Sequence, residues 1–161
     1  MAAMTPNLGI TDKNRSAIAT ILNALLADEF LLYTKTRNYH WNVVGPQFND
    51  LHKFFEAQYE AIDDAVDEVA ERVRTIGGRA SGTLAEFVQQ GRLKERPGDR
   101  PDARGMLGDL LADHETLVRQ LRVDLDTATG YGDAGTNDFL TGLMEKHEKM
   151  AWMLRAFLDK R

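Results

Sequence analysis

The chain has 161 residues, of which 43% are hydrophobic, and its formal net charge at pH 7 is −5. This apolar content is enough for one domain over residues 1–161, with residues 1–11 as a flexible N-terminal segment. The absence of cysteine excludes disulfide scaffolds and thiolate metal sites, and the acidic balance argues against a surface that binds nucleic acid throughout.

Residues 1–10 contain neither the basic nor the apolar region of a signal peptide. No stretch of the sequence approaches the roughly 18 consecutive apolar residues that a membrane span needs. We therefore expect a cytoplasmic protein that has no membrane partner.

Apolar spacing predicts four long helices, at residues 12–42, 47–76, 102–129 and 136–158. The first ends before Gly45-Pro46, and Gly77-Gly78 supplies a stop after the second. The connection between the second and third helices is long, and it contains a short amphipathic turn at residues 84–88. A connection of this length permits a crossover. The pattern therefore predicts an all-α fold, a ferritin-like four-helix bundle with a short extra helix between helices 2 and 3.

The second predicted helix carries two pairs of metal-competent side chains at i, i+4 spacing, His52 with Glu56 and Asp67 with Glu71. At about 100° per residue, all four lie within an arc of roughly 100°. A rise of about 1.5 Å per residue separates His52 from Asp67 by about 22 Å, too far for one metal ion in one chain. Two copies crossing antiparallel near Ala61 would bring the two pairs together. A solvated charged face is the alternative interpretation.

His40 and His52 stand at similar distances on either side of the Gly45-Pro46 turn. An antiparallel helix pair would bring the two imidazoles to the same level. Together with nearby carboxylates, they suit a divalent iron site with open positions better than a structural zinc site. The carboxylates of this set are Glu56, Asp67 and Glu71.

The remaining histidines, His114 and His147, are flanked by charged residues. We expect both on solvated helix faces. The sequence also lacks the Glu-x-x-His motif from which related bundles build an internal iron site, so a site inside one chain has no sequence support.

The run at residues 38–48, with His52, Asp67, Glu71-Arg72 and residues 76–83, resembles the Dps family of mini-ferritins. The resemblance covers residues 12–158. It implies a homododecameric hollow shell with two-iron ferroxidase centres at two-fold interfaces. In these centres His40, His52 and Glu56 come from one subunit, and Asp67 and Glu71 come from its neighbour. The family often has Asp at the position of Glu56, so the reach of this ligand differs.

The same resemblance implies that Fe(II) is oxidised, with hydrogen peroxide preferred over oxygen, and is stored as ferric mineral, which protects against oxidative damage. Zinc is expected as a competing ion. Trp41, beside His40, is expected to take up oxidising equivalents at the catalytic site, although packing at a helix end explains it equally well. Iron is expected to enter through pores lined by carboxylates near the last helix: Asp138, with Asp133 and Asp126.

The alternative function is that of a structural nucleoid protein that compacts DNA with little ferroxidase activity. DNA binding in the family often depends on tails rich in Lys and Arg, because phosphate affinity follows the number of neutralised charges. Residues 1–10 contain neither residue type. The tail contacts are then limited to Lys13, Arg15, Lys160 and Arg161. We therefore expect weak DNA binding. The main location is then the cytoplasm, and association with the nucleoid is secondary.

Overall fold

The computed structural model describes residues 5–159, and this part of the chain forms five helices. They are α1 (Asp12–Asn42), α2 (Phe48–Thr75), α3 (Leu84–Gln90), α4 (Ala103–Gly130) and α5 (Ala134–Leu158). The hairpin of α1 and α2 packs against the hairpin of α4 and α5. The predicted all-α bundle is confirmed, and α3 is the extra helix of the long connection. Residues 1–4 of the expected flexible segment lie outside the described residues, as do Lys160 and Arg161.

Side-chain caps and one glycine turn fix the helix ends. Thr11 accepts a hydrogen bond from the Asn14 amide at the start of α1, and Asp102 caps α4 in the same way. At the end of α2, Gly77 adopts a φ of 88°. The Gly77 amide donates to the Arg74 carbonyl and the next amide donates to the Val73 carbonyl, which is the Schellman pattern that glycine favours.

α1 is the central apolar helix of the fold. Within residues 5–159 it alone is long and apolar enough to cross a membrane, but half of that apolar window is buried by the other helices, as expected of a core helix. The short helix α3 covers part of α1, where the rings of Phe87 and Phe30 stack with centroids 4.5 Å apart.

The crossover connection after α3 is fixed to the bundle by Arg92. Its guanidinium Nε lies 2.5 Å from the Asp28 carboxylate of α1, and its Nη1 lies 2.9 Å from the Asp124 carboxylate of α4. The backbone amides of Arg92 and Leu93 also donate to Asp28. Asp28 is fully buried, so these contacts satisfy a carboxylate that burial would otherwise penalise.

The prediction that His114 and His147 are solvated is wrong. Both imidazoles are completely buried in the bundle core. Their charged neighbours take the solvent-facing positions instead, because adjacent residues on a helix point about 100° apart. Glu115 pairs with Arg155, and Glu148 pairs with Arg122, at the surface.

Candidate metal centre

His40 and His52 lie face to face where α1 turns into α2. Their ring centroids are 3.8 Å apart and their planes are inclined by 18°. His40 is 7% exposed, and His52 is partly exposed. Phe48 stacks on the outer face of His52, with centroids 5.1 Å apart. The α1–α2 turn thus assembles the two imidazoles that the sequence pattern placed at one level.

Each of these histidines is held by the backbone of the other. The Nδ1 of His40 lies 2.8 Å from the His52 carbonyl oxygen, and the Nδ1 of His52 lies 2.9 Å from the His40 carbonyl oxygen. Because a carbonyl only accepts hydrogen bonds, both Nδ1 atoms must carry the proton. In the neutral rings, the lone pairs are therefore on Nε2. Within residues 5–159 neither Nε2 atom has a hydrogen-bond partner, which is the arrangement that metal-binding histidines use.

Tyr59 links this histidine pair to Glu56. Its ring meets the His40 ring edge-on at 5.2 Å, and its hydroxyl lies 3.5 Å from Glu56 Oε1. Partial burial, followed by the nearby Glu56 charge, raises the pKa of Tyr59, so the phenol stays protonated at neutral pH. The sequence analysis missed Tyr59, although its place one turn after Glu56 was a signal for it.

The sequence analysis also missed the cation–π contacts of Arg37. Its guanidinium lies over the rings of Tyr33, Trp41 and Tyr59, at 5.6, 5.5 and 5.1 Å from their centroids. The hydrogen bond to the Tyr33 hydroxyl raises the pKa of Arg37, so this cation is permanent. Trp41 is 64% exposed, which means that a cation–π contact rather than core packing holds it in the isolated chain.

Asp67 and Glu71 are exposed on α2, distant from the histidine pair. Their helical positions place Asp67 about 22 Å along the axis from His52. Among residues 5–159, no group of three or more His, Asp or Glu side chains could hold a metal ion. One chain therefore brings His40 and His52 together, with Glu56 linked to them through Tyr59, but it does not bring Asp67 and Glu71 to them.

The three carboxylates expected at an entry pore have different environments. Asp126 and Asp138 are exposed, whereas Asp133 is 3% exposed. Asp133 caps α5 through the Thr136 amide and pairs with Arg72 of α2 at 2.9 Å. Its carboxylate is thus occupied in fixing the start of α5.

Comparison with known proteins agrees with this architecture. Residues 19–161 match the ferritin-like domain family. The chain is 50% identical over 154 residues to an uncharacterised low temperature-induced protein of Nostoc sp., covering 95% of this chain and 86% of that protein. It is 37% identical over 143 residues to DNA protection during starvation protein 2 of Bacillus anthracis, covering 89% and 97% of the two chains.

A Dps protein from Vibrio cholerae, described as a member of a broad superfamily of ferritin-like diiron-carboxylate proteins, has a TM-score of 0.91 to this structure. The two are 33% identical, and the match covers 99% of this chain and 100% of that chain. The fold is thus that of a ferritin-like protein. Within that class, the chain belongs to the Dps family of mini-ferritins. Membership supports a general role in iron storage and protection against oxidative damage.

Proposed function

We propose that this protein is a ferroxidase and iron-storage shell, which oxidises Fe(II) at sites shared by two subunits and keeps the ferric mineral inside a cytoplasmic homododecamer. The observation that carries the proposal is the pair of free Nε2 atoms on His40 and His52. They are oriented as ligands but lack enough carboxylates within their own chain.

A second subunit supplies the missing carboxylates. If two α2 helices cross antiparallel near Ala61, Asp67 and Glu71 of one copy lie beside His52 and Glu56 of the other. Ala61 is exposed in the single chain, as is Ala57 one turn away, and these small side chains allow close approach of the two helices. The arrangement produces two equivalent centres for each pair of subunits.

The ligands would hold the Fe(II) substrate while its electrons pass to hydrogen peroxide, which also takes up two protons to form two waters. Two Fe(II) ions together supply the two electrons that reduce one hydrogen peroxide to water, so a two-iron site removes iron and peroxide in one event. Imidazole nitrogen and carboxylate oxygen both suit Fe(II) and leave positions open for the oxidant. Zn(II) would compete for these ligands but cannot be oxidised. Trp41, next to His40 in the sequence, would take up an oxidising equivalent when only one iron is bound.

Iron would reach the cavity through pores lined by Asp138 and Asp126, whose exposed carboxylates attract cations. Asp133 contributes by holding the start of α5 in place. DNA compaction remains the second candidate function, because the Bacillus anthracis relative is named for DNA protection during starvation.

Complementation between two inactive variants tests the shared site. His52→Ala and Asp67→Ala shells should each assemble as dodecamers by light scattering and each lose rapid peroxide-driven oxidation of anaerobically added Fe(II). Reassembly of equal amounts of the two chains should recover about a quarter of the wild-type sites, because half of the random interfaces are mixed and each mixed interface has one intact site.

Reassembled wild-type shells and mixtures of separately assembled variant shells are the controls. No recovery after co-assembly, or full activity in a stable monomer, would show that the centre does not lie between subunits. Wild-type oxidation rates in His52→Ala would show that these ligands are the wrong ones.

A further inference from the structure

A chain of buried polar side chains crosses the bundle core outside the metal-ligand face. Glu29 of α1, His147 of α5 and His114 of α4 are each 0% exposed. The Nε2 of His147 lies 2.8 Å from Glu29 Oε1, and the two histidines approach through Nδ1 atoms 2.9 Å apart. These contacts connect three of the bundle helices.

The geometry is that of a hydrogen-bonded relay and not of a metal chelate. Glu29 and His114 contact different nitrogens of the His147 ring, so one ion cannot bind all three side chains. No metal-competent group of three such side chains occurs within residues 5–159. The chemistry available to this chain is therefore the gain and loss of protons.

The gap between the two Nδ1 atoms has room for one hydrogen. With His147 Nε2 donating to the Glu29 carboxylate, one hydrogen between the two Nδ1 atoms satisfies both short contacts, and these hydrogen bonds lower the cost of burying the polar groups. Two imidazolium rings would point two N–H groups at each other across 2.9 Å. Consistent with this limit, burial and then repulsion from His147 lower the pKa of His114 well below its usual value.

Neighbouring elements offer no other titratable group to compensate a second charge. The buried side chains of α2 and α3 include none that titrates. Asp28 of α1 and Asp124 of α4 are both paired with Arg92. Asp113, beside His114, is mostly buried and pairs with Lys35 of α1, and burial raises the pKa of this carboxyl. The other charged neighbours of the two histidines are in surface ion pairs: Glu115 with Arg155, Lys146 with Glu68, and Glu148 with Arg122.

We propose that the Glu29–His147–His114 chain is an acid-sensitive latch, which holds α1, α4 and α5 together while one hydrogen lies between the two Nδ1 atoms and opens the bundle when His114 takes up a further proton. In the unfolded chain, His114 takes up its proton near pH 6.5. The folded chain resists this proton, so the unfolded state binds more protons as the pH falls. The stabilisation is fully present above about pH 6.5 and declines below it, by up to about tenfold in the folding equilibrium constant per pH unit.

The test uses the metal-free assembled protein, with urea unfolding and light scattering measured between about pH 8 and pH 5, where most carboxylate pairs are still ionised. In His114→Asn, the amide oxygen can accept from His147 Nδ1 but cannot take a proton. We expect the free energy of unfolding of the wild type to fall towards pH 5 and its assembly to dissociate. The free energy of unfolding of His114→Asn should change little with pH, even if it is lower than that of the wild type at every pH. Glu115→Gln, which removes a titratable group from a surface ion pair beside His114, should retain the wild-type slope. Equal slopes in wild type and His114→Asn would overturn the latch.

If His114→Asn does not assemble, hydrogen–deuterium exchange at the histidine Cε1 positions of the wild type, read by mass spectrometry, gives the same answer. His114 should exchange much more slowly than His52, with a midpoint well below about pH 6.5. A His114 exchange midpoint near about pH 6.5 in intact shells would overturn the proposal. Both measurements are made without iron, so their outcome is separate from that of the ferroxidase proposal.

Discussion

His40 uses one ring nitrogen for the fold and leaves the other for a ligand. Its Nδ1 ties the end of α1 to α2 through the His52 carbonyl, and the bond from His52 back to the His40 carbonyl closes the link. The His40 carbonyl belongs to the last turn of α1, where carbonyls lack partners within the helix. Folding alone therefore sets the orientation and tautomer of both rings.

Two substitutions at His40 should separate these roles. His40→Asn keeps a donor near the position of Nδ1 and removes Nε2, so its free energy of unfolding should lie within about 1 kcal/mol of the wild type. His40→Ala also loses the bond to the backbone and leaves a gap, and it should be about 2 kcal/mol less stable. Both should oxidise Fe(II) at least about tenfold more slowly. Urea unfolding and stopped-flow absorbance measure the two effects, and a wild-type oxidation rate in His40→Asn would contradict the assignment.

Residue types also explain where the sequence interpretation failed. The spacing Leu110, His114, Leu117 and Leu121 follows the buried face of α4, and all four side chains are buried. The histidine was assigned to solvent because of its charged neighbours and not because of its own position in this repeat. The pairing of His40 with His52 could be predicted, since a short turn fixes the level of both residues. The contact of Tyr59 with His40 depends on the packing of α1 against α2, which the sequence alone does not specify.

At the level of elements, the crossover connection is fixed by charge as well as by packing. Arg92 joins Asp28 and Asp124, two largely buried carboxylates on different helices. Removing one partner of such a group leaves the other charges buried without compensation. The guanidinium thus fixes the connection after α3 to two helices, in addition to the backbone amides that donate to Asp28 and the ring contact of α3 with α1.

We expect Arg92→Ala to lower the free energy of unfolding by about 3 kcal/mol. Arg122→Ala is the matched control, because Arg122 also pairs with a carboxylate, but both side chains are about half exposed. It should change stability by less than about 1 kcal/mol. Chemical unfolding of both variants measures the difference, and equal effects would mean that the guanidinium contributes no more to stability than a surface ion pair.

The helix boundaries were predictable to within two residues at every described end, because local chemistry encodes them. Thr11, Asp102 and Gly77 satisfy backbone groups at helix ends from within a few residues. The start of α5 was placed two residues late, at Thr136, because the capping residue is Asp133. Arg92 joins residues that are distant in the sequence, so no local sequence pattern predicts its ion pairs.

At the scale of the whole molecule, fewer Lys and Arg side chains are free to bind DNA phosphates than the sequence suggests. Arg15 was expected as a tail contact, but it is 6% exposed and bonds to Asp12 and the Ile76 carbonyl. In the connection before α4, Arg92 and Arg96 are paired with carboxylates. Lys13 remains exposed at the start of α1.

DNA binding should consequently be weak and sensitive to salt. With a slope of about −0.9 in log affinity against log salt for each phosphate contact, shells that retard plasmid at low salt should release it near about 150 mM. A gel-shift series across salt measures this, with Lys13→Glu as a variant that should release DNA earlier. Tight binding that persists at the higher salt would support DNA compaction as an additional role.

The distance of about 22 Å between His52 and Asp67 along α2 also has a consequence for biosynthesis. A newly made chain carries both halves of the proposed centre but cannot close them on itself. Under the proposal of a shared site, a single chain therefore does not catalyse the oxidation of Fe(II). Under that proposal, the length of one straight helix thus sets the order of events: two subunits must pair before the chemistry of the centre can begin.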